Sequence, residues 1–254
     1  MPRSFISCRV GSYGRFEAIA LDHIASLGLK HVEIMVPPPD QIAAVKDDLA
    51  RRGLHAASMH GECDVSRPDC AARVAAQMPA FKALGTRYMF VSCKAGDLPL
   101  ETAYARLRES GEAAAAHGVT IVMETHPDLI TNAQVALRTM RGVNHPNVRI
   151  NFDTANIYYY NQNIEGVEEL REVLDYVGSL HLKETNRGYR TWFFPALGRG
   201  SVDFRGTFEV LDRAGFAGPL TMEIEGCEGD PVSERLTCDR IAESVGYLRA
   251  LGRL

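Results

Sequence analysis

Six ionisable side chains fall in or at the ends of short apolar runs of the 254-residue sequence: Glu33, His60, Glu124, Asp153, His181 and Glu223. Burying several charged groups at one end of a packed core lowers the stability of the fold unless the charges are paired or bind a metal. Three carboxylates and one imidazole, from Glu124, Asp153, Glu223 and His181, make an oxygen-rich donor set that suits Mn²⁺, Mg²⁺ or Co²⁺ and also allows Zn²⁺. The pattern predicts one divalent metal ion per chain, with Mn²⁺ as the expected occupant.

Each predicted ligand also has a structural interpretation. Asp153, in VRINFDTAN, would serve as the cap of the following segment, a common use of Asp. His181, in SLHLKETNR, taken alone would be a hydrogen-bonded core histidine, but it lies between two acidic strand ends. Glu223 competes with Glu225, which points to the same face two residues later. Strand position favours Glu223, so we predict Glu124, Asp153, His181 and Glu223 as the ligands.

The elements that would position these residues alternate between strands and helices. Predicted strands are Phe5–Val10, His31–Val36, Ala56–His60, Tyr88–Cys93, Thr120–Glu124, Val148–Asp153, Ser179–Lys183 and Leu220–Ile224. Predicted helices between them include Phe16–Leu27, Pro39–Arg52, Arg73–Leu84, Tyr104–His117 and Thr207–Ala214, and glycines expected at positive φ follow them: Gly28, Gly53, Gly85, Gly118 and Gly215. Eight such units predict an α/β fold, a (β/α)8 TIM barrel in one domain over residues 1–254. A doubly wound sheet is the rival, but CRVGSYGRFE matches its GxGxxG loop poorly.

Composition and charge limit the classes of partner. The net charge of -4 gives no basic footprint for nucleic acid. No stretch has the length of a membrane span or the features of a signal peptide, and the six scattered cysteines are typical of reduced thiols. We therefore predict a cytoplasmic enzyme with a small-molecule substrate and no nucleic-acid or membrane partner.

At this point the motifs resemble a known family. The four predicted ligands at successive strand ends resemble those of the sugar isomerase/epimerase branch of the xylose-isomerase-like barrels. HLKETNR, from His181 to Arg187, is similar to the HxGExNR stretch of ketose 3-epimerases of the tagatose and psicose type, where the His binds metal and the Arg reaches substrate. The spacing from Gly218 to Glu223 also fits that family's last strand, and GRGSVDF resembles one of its loops.

The resemblance implies deprotonation next to the carbonyl of a ketose or keto-cyclitol through an enediolate, with the metal as Lewis acid. Glu124 and Glu223 would be the catalytic acid and base. Substrate-binding candidates are His60, Lys183, Glu184, Arg187, Glu33 and Asn156, with Glu33 alternatively orienting a ligand. For His60 a structural hydrogen bond, and for Lys183 an ion pair with a carboxylate, are the alternatives. A homodimer or homotetramer is compatible with the aromatic segments.

Other functions remain open. Asn156 stands where the epimerases, and the DNA-cutting relatives, carry a histidine, which argues against a zinc endonuclease. The same site would support a lyase of the inosose or dehydroshikimate dehydratase type, cleavage of a 3-keto-glycoside, or a non-catalytic sugar-binding barrel. The segments Tyr158–Tyr160 and Trp192–Phe194 would either line the pocket or pack in a loop or subunit contact. Whether the substrate is phosphorylated stays open.

Overall fold

The apolar runs of the sequence form eight parallel strands that close into a barrel in the computed structural model, which describes residues 4–254. Around the barrel the strands are β1 (Phe5–Arg9), β2 (His31–Met35), β3 (His55–His60), β4 (Tyr88–Val91), β5 (Thr120–Glu124), β6 (Val148–Asp153), β7 (Val177–Leu182) and β9 (Pro219–Met222). Closure comes from β1, which pairs with both β2 and β9. The predicted (β/α)8 barrel is confirmed; residues 1–3 of the predicted domain lie outside the described range.

Helices connect the strands and cover the barrel from outside. They are α1 (Ala20–Ser26), α2 (Ile42–Arg51), α3 (Cys70–Leu84), α4 (Leu100–Ala115), α5 (Ala133–Val143), α6 (Asn156–Tyr159), α7 (Gly166–Val173), α8 (Phe204–Arg213) and α9 (Glu234–Ala250), with 3-10 turns at Val10–Ile19, Pro39–Gln41 and Leu174–Tyr176. Their apolar faces are buried: Leu107 of α4, Leu170 of α7 and Val245 of α9 are fully inaccessible. A short antiparallel ribbon, β8 (Phe193–Phe194) with β10 (Gly226–Cys227), lies outside the barrel sheet.

Element ends differ from the predictions by a few residues. The first helix begins at Ala20 instead of Phe16, because residues 10–19 form 3-10 turns in which Gly14 and Phe16 have non-helical dihedral angles. The seventh barrel strand begins at Val177 and ends at Leu182, one residue before the predicted end. All five predicted capping glycines have positive φ, for example 69° at Gly85, a conformation that suits a residue without a Cβ.

The register of neighbouring strands decides which side chains meet at the carboxyl ends. Asp153 of β6 pairs with His181 of β7, and Arg9 of β1 pairs with Glu33 of β2. Glu223 continues the pairing beyond β9, because its N–H donates to the carbonyl of Leu182 at 3.0 Å. Within residues 4–254, no helix combines the length and the apolar composition that crossing a membrane requires.

Candidate metal centre

The four predicted ligands converge at the carboxyl end of the barrel. Glu124 ends β5, Asp153 ends β6, His181 lies in β7 and Glu223 follows β9. One potential ligand atom from each lies within 4.8 Å of the others. Asp153, His181 and Glu223 are buried, whereas Glu124 is half-buried. The carboxyl ends of the parallel strands therefore bring together side chains that are up to a hundred residues apart in sequence.

Asp153 gives the clearest test of whether this group fits a metal ion. Its Oδ1 accepts hydrogen bonds from the backbone N–H groups of Ala155 and Asn156 at 2.8 and 2.9 Å. Its Oδ2 is buried and has no hydrogen-bond partner among the described residues. Leaving a buried polar atom unsatisfied costs about 1–3 kcal/mol, and more for a charged group. Burial, more than the charge of Glu223, raises the pKa of Asp153 to about 7, although Lys183 acts in the opposite direction; a cation bound at Oδ2 would favour the ionised carboxylate.

Glu33 holds the imidazole of His181 from the side opposite Glu223. His181 Nε2 lies 3.2 Å from the Glu33 carboxylate, and Nδ1 lies 3.3 Å from Glu223 Oε2. Ser58 donates to Glu33 at 2.7 Å. Burial alone would lower the pKa of His181, but the two carboxylates raise it to about 10. A carboxylate on the distal nitrogen fixes the ring of a metal-binding histidine, so Glu33 is placed to orient a ligand.

Two predicted substrate-binding residues contact the acid/base candidates. Asn156 Nδ2 donates to Glu124 Oε1 at 3.2 Å. The Lys183 ammonium lies 3.2 Å from Glu223 Oε2, 3.4 Å from Asn156 Oδ1 and 4.0 Å from Asp153 Oδ2. Lys183 also forms an ion pair with Glu225. Both Glu223 and Glu225 therefore pair with Lys183, but only Glu223 belongs to the cluster of four potential ligands.

Arg9 is a site residue that the sequence interpretation missed. Its Nη1 lies 3.2 Å from Glu33 Oε1 and 3.2 Å from Glu223 Oε1, and its Nη2 lies 3.3 Å from His60 Nδ1. Arg9, Glu33 and His60 line a cavity of about 860 Å³, and His60 also lines an adjacent cavity of about 740 Å³. The available signal was a cation at the carboxyl end of the first predicted strand.

Glu184 and Arg187 make their contacts away from the cluster. The buried Glu184 carboxylate accepts backbone N–H groups of Thr185, Gly198 and Val202 at 3.0, 2.8 and 3.0 Å, which holds the loop between β7 and α8. Arg187 has a φ of 63°, donates to Ser201 O at 2.9 Å and pairs with Glu165 at 3.1 Å. Substrate contact by either residue stays a prediction.

The two aromatic segments pack against each other beside Lys183. Ring centroids of Tyr159 lie 6.4 Å from Trp192 and 5.8 Å from Phe194, and Trp192 lies 5.0 Å from Phe194. The Lys183 ammonium sits 4.4 Å from the centroid of Phe194, within range of a cation–π interaction. The segments thus form one aromatic wall that extends from Lys183 to Trp192, whose side chain is 44% exposed.

Residues 21–251 match the Xylose isomerase-like TIM barrel family, and the chain belongs to it. A ketose 3-epimerase from Arthrobacter globiformis is 28% identical over 227 residues, which are 78% of this chain and 73% of the relative. This name agrees with the predicted enzyme class, an isomerase or epimerase.

Solved structures share the fold along the whole chain. A D-allulose 3-epimerase from Methylomonas sp. superposes with a TM-score of 0.77 at 21% identity, covering 100% of this chain and 99% of that one. The probable 3-DHS dehydratase AsbF from Bacillus anthracis superposes with a TM-score of 0.75 at 15% identity, covering 96% and 98%. The solved structures that share this fold therefore include both an epimerase and a probable dehydratase.

Proposed function

We propose that this chain is a divalent-metal-dependent isomerase or epimerase that acts on a ketose or a keto-cyclitol. The observation that carries the proposal is the convergence of Glu124, Asp153, His181 and Glu223, with ligand atoms within 4.8 Å of one another. The Oδ2 of Asp153, which has no hydrogen-bond partner among residues 4–254, supports a cation at the centre of the group. The similarity to a ketose 3-epimerase over 78% of the chain supports a proton transfer next to a carbonyl.

These four side chains would hold one ion, for which Mn²⁺ is our expectation and Mg²⁺, Co²⁺ or Zn²⁺ are alternatives. When bound, the ion would supply Lewis acidity toward substrate oxygens. The remaining chemistry belongs to side chains of this chain: they bind the sugar, accept one proton and return another.

Glu124 is the carboxylate that we assign to proton abstraction. It is half-buried, and within the part of the chain that the structure describes it accepts a single side-chain hydrogen bond, from Asn156 Nδ2 at 3.2 Å. An ionised carboxylate can accept about four hydrogen bonds, so Glu124 keeps lone pairs for a substrate proton. It would remove the proton from the carbon next to the substrate carbonyl.

Glu223 is assigned the complementary transfer. Burial opposes its ionisation, but Lys183, His181 and Arg9 together hold the pKa of Glu223 well below its usual range. Glu223 is therefore a carboxylate in the free protein, and it would take up a proton from solvent before returning it to the substrate face opposite Glu124. In a 3-epimerisation one glutamate removes the C3 proton and the other returns one to the opposite face, and the roles interchange in the reverse direction.

The substrate would lie against His60, Asn156 and Lys183. These three predicted binding residues lie in the cluster or beside the adjacent cavity; Glu33, also near it, contacts His181 instead. They offer a ring nitrogen, an amide and an ammonium, which suit the hydroxyl and carbonyl oxygens of a carbohydrate. Contacts by Glu184 and Arg187 are proposed from the family motif alone.

Elimination on the same site is the second candidate. The observation that favours it is the pair of Asn156 and Lys183: an amide stands where ketose 3-epimerases have a histidine, and an ammonium lies 3.4 Å from it. A bound substrate would therefore contact the Lys183 ammonium and the Asn156 amide where an epimerase offers an imidazole. The same initial proton abstraction, followed by loss of a β-hydroxyl or an aglycone, would make the chain a lyase.

Mass-resolved product analysis in deuterated water tests the proposal. The Mn²⁺-loaded enzyme is incubated with ketoses, inososes and 3-keto-glucosides, beside Glu124→Gln and the control Glu169→Gln. Glu169 is a half-buried glutamate on α7, where it caps the N–H of Ala133 and is no part of the cluster. We expect an isomeric product in which one carbon-bound hydrogen is replaced by deuterium, formed by wild type and by Glu169→Gln but not by Glu124→Gln.

Loss of water or of an aglycone would assign the chain to the lyases and leave the metal centre in place. Equal turnover by Glu124→Gln and wild type would contradict the assignment of the base. No conversion of any of the three substrate classes by Mn²⁺-loaded wild type would remove the proposed function.

A further inference from the structure

Arg9 connects three groups of the barrel mouth that come from three different strands. The register places it beside Glu33, and its Nη1 lies 3.2 Å from both Glu33 and Glu223. Its Nη2 lies 3.3 Å from His60 Nδ1. The side chain is 20% exposed, so most of the guanidinium is buried among these partners. A planar guanidinium spreads five N–H donors over three nitrogens and so contacts the carboxylates from Nη1 and His60 from Nη2, whereas a lysine presents all its donors from one nitrogen.

The contact with Arg9 determines how the His60 ring is protonated. Arginine has donors only and keeps its proton, so His60 Nδ1 must accept the hydrogen bond through its lone pair. An imidazole that accepts on Nδ1 carries its proton on Nε2. His60 is therefore defined as the neutral Nε2–H tautomer by its neighbour.

The orientation of the His60 ring is fixed from a second side. Its centroid lies 4.9 Å from that of Phe90 in an edge-to-face contact, and the guanidinium carbon of Arg9 lies 5.1 Å from the same ring. Phe90 is 1% exposed and thus gives a rigid support. His60 Nε2 forms no hydrogen bond with any of the residues 4–254, and His60 lines both cavities at the mouth. The free N–H is thus left for a ligand in these cavities.

We propose that Arg9 is a positioning residue that fixes His60 as a neutral Nε2–H donor to a carbonyl or hydroxyl oxygen of the substrate. The part that concerns the substrate rests on the proposed function; the part that concerns the tautomer does not. A neutral imidazole can polarise a carbonyl without giving up a full proton, which suits a step that builds negative charge on that oxygen. Arg9 itself stays bound to Glu33 and Glu223, which balance its charge.

The charges around His60 support its neutral form. Burial and Arg9 on β1 lower the pKa of His60, and His181 on β7 acts in the same direction. Glu33 on β2 and Glu223 beyond β9 act in the opposite direction. Without the guanidinium the two carboxylates would remain, so protonation of His60 would become easier. We therefore expect the acid limb of kcat/KM to move to higher pH when Arg9 is removed.

Nitrogen-15 NMR of the histidine rings tests the tautomer directly. The Mg²⁺-loaded protein is used because Mg²⁺ is diamagnetic, and the His60 signals are assigned by their loss in His60→Gln. We expect the coupling pattern of a neutral Nε2–H tautomer at pH 7 in wild type. Arg9→Met should shift this pattern toward a mixture with the Nδ1–H tautomer or the imidazolium, whereas Arg149→Met should keep it. Arg149 is a matched control. It is also an arginine in a barrel strand, and its guanidinium carbon lies 5.9 Å from the ring centroid of Tyr176, but it belongs to β6.

Turnover adds a second readout. Arg9→Met should lower kcat by about 10–100-fold, as partners of metal-site residues typically do, with a smaller change in KM. An Nδ1–H tautomer or an imidazolium in the wild-type spectrum would overturn the proposal, as would an unchanged His60 spectrum in Arg9→Met. If Arg9→Met fails to fold, the His60 signals of wild type are compared with those of Arg9→Lys instead. Since the spectra need no substrate, they stand even if no carbohydrate is turned over.

Discussion

At the scale of single residues, both oxygens of Glu223 are held by cations. Arg9 contacts Oε1 at 3.2 Å, while Lys183 and His181 contact Oε2 at 3.2 and 3.3 Å. All four groups are mostly or fully buried, so each charge depends on its neighbours. Removing one partner of a buried ion pair typically costs about 3–5 kcal/mol because the other charge stays uncompensated. Metal binding must therefore compete with these internal pairs.

The first prediction concerns the pH dependence of metal binding. Glu33 and Glu223 raise the pKa of His181 to about 10, and burial raises that of Asp153 to about 7, in the metal-free protein. Both groups must lose a proton to become ligands. Metal affinity should therefore rise with pH, by about tenfold per pH unit between pH 7 and 9 and more steeply below pH 7. Calorimetric titration with Mn²⁺ in buffers of different ionisation enthalpy measures both the affinity and the protons released.

Glu33→Gln is the matched variant for this experiment. It removes one of the two carboxylates that raise the pKa of His181, so fewer protons should leave on metal binding and the pH dependence should be flatter. An affinity that does not change with pH in wild type would show that His181 is not protonated in the metal-free state.

The four clustered side chains stand out in the sequence as predicted ligands, but not all of their partners do. Glu124, Asp153 and His181 stand out because polar side chains at the ends of apolar runs are recognisable one by one. Arg9 was missed because its function depends on the register of β1 with β2, which pairs it with a residue 24 positions away. Such a contact has no local signal.

At the scale of elements, the loop between β7 and α8 depends on one buried carboxylate. Glu184 accepts three backbone N–H groups, and two of the donors, Gly198 and Val202, lie 14 and 18 residues away in sequence. The family motif suggested a sugar contact for this residue, whereas its observed bonds hold the loop together. The sequence could not show this, because the conformation of the loop determines which N–H groups reach the carboxylate.

The second prediction is that Glu184→Gln destabilises the protein more than it impairs metal binding. Replacing the carboxylate weakens three charge-assisted hydrogen bonds and turns one acceptor oxygen into a donor, and each such bond contributes about 1.5–3 kcal/mol. We expect a lower free energy of unfolding in urea and an unchanged Mn²⁺ affinity. Glu243→Gln, which breaks only the exposed pair with Arg199, is the control and should change stability little. Full stability of Glu184→Gln would argue against a role in holding the loop.

The elements themselves were largely predictable, and their ends less so. Strands β5 and β6 begin and end where the apolar pattern predicts. The first helix begins at Ala20, since the turns around Gly14 interrupt a stretch whose spacing of apolar residues resembles a helix. Periodicity records which face is buried, but it does not record where a 3-10 turn gives way to an α-helix.

At the scale of the whole molecule, the proposed metal centre draws on strands on different sides of the closed barrel. Glu124 and Glu223 approach from β5 and the end of β9, and β9 pairs with β1. A ligand that binds only the folded barrel stabilises all of these strands together. Oligomeric state and the identity of the sugar lie beyond what the sequence predicts, because both depend on the shapes of loops and surfaces instead of on repeating patterns.

The metal content of the folded chain tests most directly whether Glu124, Asp153, His181 and Glu223 bind one ion. Wild type, Asp153→Asn and His181→Gln are loaded with Mn²⁺, freed of excess ion and analysed by elemental mass spectrometry. Asp175→Asn, which changes an exposed aspartate in the turn before β7, is the control. We expect one ion per chain in wild type and in Asp175→Asn, and loss of the ion in the other two variants while they remain folded. A wild type without bound ion, or variants that retain it in full, would contradict a metal centre built from these side chains.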